Sequence, residues 1–275
     1  MSEPSRIKQL DDRTIGHIAA GEVVERPAQV VKELIENSID AKSSRITIEI
    51  DRGGFDLIRI TDDGTGIHEH DLSLSLDRHA TSKLSNEDDL AAIGTLGFRG
   101  EALASIGMVS KLSISSRPQG TEGRRIVMDN GNKGKIEPAG IAEGTSIEVS
   151  QIFANQPARL AFQRRPATET SKIVDVVVSH AICHPEVGFR LVSDEKTILE
   201  VPAVDEMEDR LYDVLGRQAG KMIPISAPTS DSDAPGDEKW SGWISTPDIT
   251  RGKGDEIHVL INGRPVASQP FLQSI

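Results

Sequence analysis

The sequence predicts an α+β fold, in which helices cover one face of an antiparallel sheet. Residues 22–41 place apolar side chains at the i, i+3, i+4 spacing of one buried helix face, with Pro27 acceptable in a first helical turn. Two short alternating segments follow, at residues 45–50 and 57–61, separated by DRGGF. This is the pattern of a β-hairpin, and it favours an antiparallel sheet over a parallel, doubly wound one.

The rest of the chain continues this alternation of strands and helices. The patterns predict strands at residues 109–116, 124–129 and 145–150, a short helix at 71–79, a second amphipathic helix at 170–183 and a hairpin at 187–201. Beyond residue 201 they predict a helix at 205–216, a loop rich in Pro, Ser and Asp at 223–239, and strands at 240–245 and 257–261. We therefore expect a first domain over residues 1–204 and the truncated start of a second over residues 205–275.

Composition limits the classes of function. The chain has 275 residues, a single cysteine (Cys183) and no apolar run long enough to cross a membrane, so we expect a protein of the reducing cytoplasm with no membrane partner. A formal net charge of -12 argues against a generally basic nucleic-acid binder. Any DNA contact must be local, and the candidate basic clusters are Arg159, Arg164 and Arg165, and Arg251, Lys253 and Arg264.

Glu33 and Asn37 lie one turn apart on the helix at residues 22–41. At about 100° per residue they are about 40° apart and border the apolar face, with Asp40 beside them. A carboxylate there can take a proton from a water, and a carboxamide oxygen can bind Mg²⁺. Taken alone, this spacing is more often a solvated helix edge, so the choice depends on the other motifs.

The second hairpin strand ends in the motif DDGTG at residues 62–66. A carboxylate fixed at a strand end can accept a hydrogen bond from the exocyclic amine of adenine, and the glycines allow the backbone to approach a flat ligand. Guanine presents a carbonyl oxygen at that position, which Asp62 would reject. The alternative is a plain turn, the commonest fate of such a sequence.

A long glycine-rich segment occupies residues 80–100. It begins with Thr81, Ser82 and Lys83, and then Gly94, Gly97 and Gly100 recur at every third position before a predicted helix at 101–106. Long loops in compact domains usually bind ligands, and glycine amides at a helix N-terminus suit phosphate. The segment matches neither the Walker motif nor the dinucleotide motif. Gly144 and Thr145 open a later strand, either as a ligand-facing hydroxyl or as a simple turn.

These motifs together resemble one superfamily of ATPases. The chain carries ELIEN, DDGTG, GFRGEALASI and GT in the order found in Bergerat-type (GHKL) ATPases. That superfamily includes type II DNA topoisomerases, ninety-kilodalton heat-shock chaperones and sensor histidine kinases. The closest resemblance is to the MutL family of mismatch-repair proteins. Three stretches of the chain are similar to that family nearly letter for letter, namely IAAGEVVERPAQVVKELIENSIDA, RHATSK and LGFRGEALASI.

The resemblance implies a fold and a set of roles. The fold is a Bergerat-type sandwich of a mixed, largely antiparallel sheet and helices, followed by part of a ribosomal protein S5-like domain. Glu33 corresponds to the general base, Asn37 to the Mg²⁺ ligand and Asp62 to the adenine-reading carboxylate, while Arg264 is a DNA-binding candidate. The other implied ATP contacts are Gly66, Thr81, Ser82, Lys83, Gly97, Phe98, Arg99, Gly100, Glu101, Ala102, Leu103 and Thr145.

The resemblance also implies a function. It is that of an ATP-gated clamp in DNA mismatch repair, which binds and slowly hydrolyses ATP, forms a homodimer or a heterodimer with a paralogue, and works with DNA and a MutS-type mismatch-recognition protein. The family completes its site with a lysine from an HPxK motif, which these 275 residues lack. Since such a charge can be worth on the order of 10³ to 10⁵ in rate, we expect nucleotide binding with weak or absent turnover.

Two alternatives remain at this point. The chain could be a non-catalytic DNA-binding adaptor in which ATP only stabilises the fold, or another Bergerat enzyme such as a histidine kinase. The family pattern NTPAR-KF is here NQPARLAF at residues 155–162, which weakens any role carried over to Arg159.

Overall fold

The protein is built around one large sheet. The computed structural model describes residues 9, 11–83, 95–97, 100–226, 240–249 and 257–266. The strands within them are β1 (Arg45–Asp51), β2 (Leu57–Asp62), β3 (Lys111–Arg117), β4 (Arg124–Asp129), β5 (Asn132–Lys133), β6 (Glu137–Pro138), β7 (Gly144–Ser150), β8 (Gly188–Ser193), β9 (Lys196–Val201), β10 (Met222–Ser226), β11 (Ser241–Ser245), β12 (Val259–Ile261) and β13 (Arg264–Val266).

Helices connect and cover these strands. They are α1 (Asp12–Val23), α2 (Pro27–Asp40), α3 (Glu69–Leu74), α4 (Ala102–Met108), α5 (Pro157–Ala161), α6 (Pro166–Cys183) and α7 (Met207–Leu215), with 3-10 helices at Arg52–Gly54 and Gly216–Lys221. In the described part of the chain, no helix is both long and apolar enough to span a membrane.

The large sheet is mixed and largely antiparallel, as the resemblance implies. Its order is β5-β4-β3-β7-β2-β1-β8-β9, with β6 paired to β4, and the β1–β8 pair is parallel. The predicted hairpin is confirmed, because β1 and β2 pair antiparallel across the Arg52–Gly54 turn. On one face, α2 contacts β1 and β2, α6 contacts β8, and α4 contacts β3 and β4. The other face carries Arg59 with Glu49 and Glu148, which are partly exposed.

Helix α2 buries the face that its sequence pattern predicts. Val30, Val31, Leu34 and Ile35 have no exposed surface and join the same core as the isoleucines of β1 and β2. The helix packs against both that sheet and α6. Fully burying an aliphatic side chain is worth about 1.5–3 kcal/mol, so these four side chains fix the helix against the sheet. The polar edge of α2 is therefore held in a defined direction.

The predicted single helix over residues 22–41 is wrong in its first turn. Residues up to Val23 belong to the separate helix α1, and α2 begins at Pro27. Proline lacks an amide hydrogen and pushes the residue before it into an extended conformation, which is what Arg26 adopts. The start of α2 is therefore set by proline chemistry, and the apolar periodicity continues across the break.

Two other predictions need correction. The short helix predicted at residues 71–79 is α3, which ends at Leu74, and His79 has a left-handed backbone with φ 65°. The loop predicted at residues 223–239 contains most of β10, because Ile223 and Ile225 alternate along a strand that pairs with β11. Residues 227–239 lie outside the described part. The pairs β10–β11 and β12–β13 are separate two-stranded sheets, and the domain division at residues 204 and 205 stays a prediction.

The entry into α2 is fixed by a buried ion pair. Arg26 donates to both carboxylate oxygens of Glu169 on α6, from Nη2 at 2.7 Å and from Nε at 3.2 Å. The Glu169 side chain is only 1% exposed, whereas Arg26 is 26% exposed. The amides of Glu25 and Arg26 both donate to Gln29 Oε1, at 2.6 and 3.2 Å. This bonding holds the chain at the point where α2 begins.

We expect Arg26→Ala to lower the free energy of unfolding by about 2–3 kcal/mol. The substitution leaves the Glu169 carboxylate buried without its cation, and the partial exposure of Arg26 moderates the cost. Urea unfolding of both proteins measures the difference. Arg59→Ala is the matched control, since Arg59 also bonds glutamates but on the exposed sheet face, and it should cost no more than about 1 kcal/mol. Equal losses for the two variants would contradict this assignment.

Candidate nucleotide-binding site

Asp62 is the last residue of β2 and points toward helix α2. Its Oδ2 accepts a hydrogen bond from Ser38 Oγ at 2.8 Å, and its Oδ1 accepts from the Gly64 amide at 2.9 Å. The residue is 8% exposed. Burial raises the pKa of the Asp62 carboxyl, and the hydrogen bonds from Gly64 and Ser38 offset this only in part. The carboxylate is thus fixed in direction by two donors in a poorly solvated position.

A second layer of hydrogen bonds supports the DDGTG turn from β3 and β7. Ser116 Oγ accepts from the Ile67 amide at 2.8 Å and lies 2.9 Å from Thr145 Oγ1. Thr145 is buried and pairs directly with Asp62 across β7 and β2. Gly144 has φ 114°, and a Cβ there would lie 2.0 Å from the Asp62 carbonyl oxygen. Only glycine fits this position, which brings Thr145 beside the aspartate.

Gly66 requires its residue type for a similar reason. It has φ 73°, and a Cβ there would lie 2.8 Å from the amide nitrogen of Pro118. The backbone of the DDGTG turn therefore passes very close to the end of β3. The predicted adenine-end residues Asp62, Gly66 and Thr145 are thus neighbours in the structure.

The second group of predicted residues gathers at the C-terminal turn of α2. Lys83 Nζ donates to Asn37 Oδ1 at 2.8 Å and to Asp40 Oδ2 at 2.5 Å. The amides of Leu96 and Gly97 donate to the two Asp40 carboxylate oxygens, at 2.8 and 3.0 Å. The start and the end of the glycine-rich segment therefore meet on the polar edge of the same helix.

The remaining predicted residues differ in their exposure and in their contacts. Glu33 lies half-buried one turn before Asn37, and Thr81 and Ser82 are exposed beside Lys83. Gly100 has φ 60° and packs against the Ala80 carbonyl. Helix α4 begins at Ala102 and Leu103 with Glu101 as its N-cap residue, and Glu101 Oε1 lies 3.0 Å from His79 Nδ1. Phe98 and Arg99 lie outside the described residues.

The residues of the two basic clusters predicted to contact DNA differ in their contacts. Arg159 donates to the Gly21 carbonyl and lies over the Phe153 ring at 5.1 Å, so its guanidinium makes internal contacts. Arg264, on β13, donates to the Thr95 carbonyl within the glycine-rich segment. Arg251 and Lys253 lie outside the described residues. Arg164 and Arg165 are exposed, and Arg165 is the N-cap residue of α6.

Sequence reasoning missed the parts played by Ser38, Asp40 and Ser116. The i, i+3, i+4 spacing predicts only that Ser38 lies on the buried face of α2, whereas its hydroxyl orients Asp62. A signal was available, because a serine in a buried stripe needs a hydrogen-bond partner. Asp40 was seen only as a neighbour of Glu33 and Asn37, whereas it receives Lys83 and two backbone amides. Those partners are distant in sequence, so spacing alone could not identify them.

We expect Asp62→Asn to gain stability relative to the parent protein as pH rises from about 4 to about 7. The folded-state pKa of Asp62 lies above its usual value of 3.8. The stability of the protonated form is therefore fully present below that value and is lost as pH rises through the folded-state pKa. Asparagine does not ionise, and its Nδ2 can donate to Ser38 Oγ, which then keeps its proton for the Leu34 carbonyl at 3.1 Å.

Urea unfolding at both pH values measures this trend. Asp194→Asn is the matched control, because hydrogen bonds from the Arg52 amide and from Ser193 lower the pKa of Asp194. Its charge therefore contributes stability that is present above the unfolded-state pKa and is lost as pH falls through the folded-state pKa, so the stability of this variant relative to the parent should change mainly below about pH 4 and little from about 4 to about 7. A difference for Asp62→Asn that does not vary with pH would show that burial does not disfavour its charge.

Comparison with known proteins places this site in a family. The family model for histidine kinase-, DNA gyrase B- and HSP90-like ATPases matches residues 25–150, which include α2 and the DDGTG turn. The DNA mismatch repair protein MutL of Halobacterium salinarum is 39% identical over 98% of this chain, and that of Geobacillus kaustophilus is 43% identical over 98%. The chain spans 41% and 42% of the length of these two relatives.

Solved structures give the same assignment. The Aquifex aeolicus MutL ATPase domain complexed with ADP matches with a TM-score of 0.70 and 30% identity, covering 91% of this chain and 87% of that one. The N-terminal domain of a DNA repair protein, at 24% identity, shares the fold with a TM-score of 0.79. On the identity and coverage of these relatives, the chain belongs to the MutL family and carries the family's ATPase domain.

Proposed function

We propose that this chain binds ATP and hydrolyses it slowly in a Mg²⁺-dependent reaction, as the nucleotide-dependent part of a DNA mismatch repair clamp. One observation carries the proposal. Neighbouring residues of α2 bind both groups of predicted site residues, since Ser38 donates to Asp62 while Asn37 and Asp40 accept from Lys83. The family membership and the ADP named for the Aquifex relative support the same reading.

At the base end, the chain offers a fixed acceptor. Asp62 has its carboxylate held by Ser38 and the Gly64 amide, so its remaining lone pairs keep a constant direction. The exocyclic amine of adenine is a donor that can complete this arrangement. Gly66 lets the backbone approach the ring, and Thr145 lies beside the carboxylate on the neighbouring strand. This set fits adenine and leaves guanine with opposed acceptors.

At the phosphate end, Asn37 fits the role of Mg²⁺ ligand. Its Oδ1 already faces a cation, the Lys83 ammonium at 2.8 Å, so the oxygen points at a position that suits positive charge. Among the described residues, no three His, Cys, Asp or Glu side chains form a metal cage. Mg²⁺ often uses one or two protein oxygens together with water and substrate phosphates, and when bound it neutralises phosphate charge.

Glu33 is the proposed general base. It lies one turn before Asn37 on a helix whose four buried aliphatic side chains fix its rotation. A carboxylate in that position can take the proton of a water that attacks the terminal phosphate. Lys83 and the amides at the start of α4, including those of Ala102 and Leu103, are proposed to bind phosphate oxygens. Thr81, Ser82, Gly97 and Gly100 shape the same region.

The activities of the whole protein are proposed from its relatives. Those proteins are named for DNA mismatch repair. We infer that ATP binding promotes dimerisation with a second copy or a paralogue, and that DNA and a MutS-type mismatch-recognition protein are partners. Arg264 is the DNA-contact candidate, and it donates a hydrogen bond to the Thr95 carbonyl of the glycine-rich segment. The overall charge of -12 confines DNA contact to such local groups.

The test is Mg²⁺-dependent ATP turnover with Glu33→Ala as the comparison. The variant should bind nucleotide normally, measured with a fluorescent ATP analogue, and lose about 10² to 10⁴ in rate, because only proton transfer is removed. Turnover should be measured for this chain and for a form extended to the length of its relatives, and the extended form should be much the faster.

Two results would contradict the proposal. An unchanged rate in Glu33→Ala would show that Glu33 is not the base. Nucleotide binding without turnover in both folded parent forms would favour the second candidate, a DNA-binding adaptor in which ATP only stabilises the fold. That adaptor should show DNA affinity that falls steeply with salt and does not depend on Glu33.

A further inference from the structure

Asp40 is the last residue of α2, and its carboxylate collects three donors. They are Lys83 Nζ at 2.5 Å and the amides of Leu96 and Gly97 at 2.8 and 3.0 Å. The Asp40 side chain is only 9% exposed. Two of these donors belong to a segment that lies 56 and 57 residues further along the chain. A single carboxylate therefore connects three separate pieces of backbone.

The position of Asp40 is unfavourable for the helix itself. The C-terminal end of a helix carries partial negative charge, so a carboxylate there opposes the helix dipole. The Lys83 ammonium and the two amides compensate for this by charge-assisted hydrogen bonds, which are the strong kind. A residue that breaks a local preference and is satisfied only by distant partners points to a functional constraint.

The geometry around Gly97 shows how closely these pieces fit. A Cβ on Gly97 would lie 3.0 Å from Lys83 Nζ and 3.4 Å from Asn37 Oδ1. The backbone at Gly97 thus covers the Lys83 ammonium while its amide bonds Asp40. Movement of the Asp40 carboxylate would shift Lys83 and the Gly97 backbone together, relative to Asn37 and Glu33.

We propose that Asp40 is a positioning residue of the nucleotide site, which holds the Lys83 ammonium and the Leu96–Gly97 backbone against the helix that carries Glu33 and Asn37. This inference rests on the proposed function, because it assigns Lys83 and Gly97 to the phosphate end of that site. Asp40 itself touches neither nucleotide nor water in this role. It determines where the groups that do so are placed.

Asp40→Asn is the decisive variant. Asparagine keeps the shape of the aspartate side chain, but its one oxygen can accept only some of the hydrogen bonds from Lys83, Leu96 and Gly97. Its NH₂ group is a donor and would face the remaining donors. Amide hydrogen exchange, resolved at Leu96 and Gly97 in protein without nucleotide, should become faster by about tenfold or more. The Kd for ADP in Mg²⁺ should rise by a similar factor, while the thermal midpoint of unfolding stays close to that of the parent.

Asp194→Asn is the control for a generic loss of a carboxylate. Asp194 accepts from the Arg52 amide at 2.8 Å and from Ser193 Oγ at 3.0 Å, and it makes no contact with the site. This variant should leave exchange at Leu96 and Gly97, and the Kd for ADP, unchanged.

Three outcomes would overturn the proposal. One is parent-like exchange at both amides in folded Asp40→Asn. Another is faster exchange with an unchanged Kd for ADP, which would make Asp40 a structural tether only. If the variant does not fold, exchange in the parent decides, because unprotected Leu96 and Gly97 amides would exclude the bonds to Asp40. Protected amides in a parent that binds no ADP would instead contradict the proposed function and leave the contact intact.

Discussion

The hydrogen bond from Ser38 to Asp62 joins helix α2 to the end of strand β2, the two elements that carry most of the proposed nucleotide site. It runs at 2.8 Å from the buried side of α2 to the end of β2, in a place where burial raises the pKa of the carboxyl. Because a buried carboxylate needs donors, this bond favours the arrangement in which Ser38 of α2 faces the end of β2. The same contact therefore fixes the rotation of α2, and with it the direction of Glu33 and Asn37.

Helix α2 serves both the core and the site because its buried aliphatic face lies beside a partly exposed polar edge. Val30, Val31, Leu34 and Ile35 are fully buried against the sheet, and the entry of the helix is held by the Arg26–Glu169 pair. On its polar edge, Asp40 accepts hydrogen bonds from Lys83 and Leu96 of the glycine-rich segment. Thr95 of that segment in turn accepts a hydrogen bond from Arg264 on β13. Helix α2, packed in the core, therefore holds the glycine-rich segment of the site through hydrogen bonds to Asp40.

Much of the fold follows from local sequence, and the rest depends on contacts that local sequence does not encode. The buried stripe of α2, the β1–β2 hairpin and the antiparallel sheet were predicted from periodicity, and the fold class is confirmed. The break before Pro27 was missed because apolar spacing continues across it, although the proline itself was a signal. Helix spacing and the resemblance both point to Asn37, and the resemblance assigns a role to Lys83, but the bonds of Asp40 to residues 56 and 57 positions away come only from tertiary structure.

The most direct test of this account compares ADP and GDP binding to the chain by isothermal titration calorimetry in Mg²⁺. If Asp62 is held as an acceptor for the exocyclic amine of adenine, ADP should bind and GDP should bind more weakly, by a factor that can reach on the order of 10⁴ because guanine leaves two acceptors opposed. Similar affinities for ADP and GDP, or no binding of either by the folded chain, would contradict the central claim that α2 and the end of β2 form an adenine-nucleotide site.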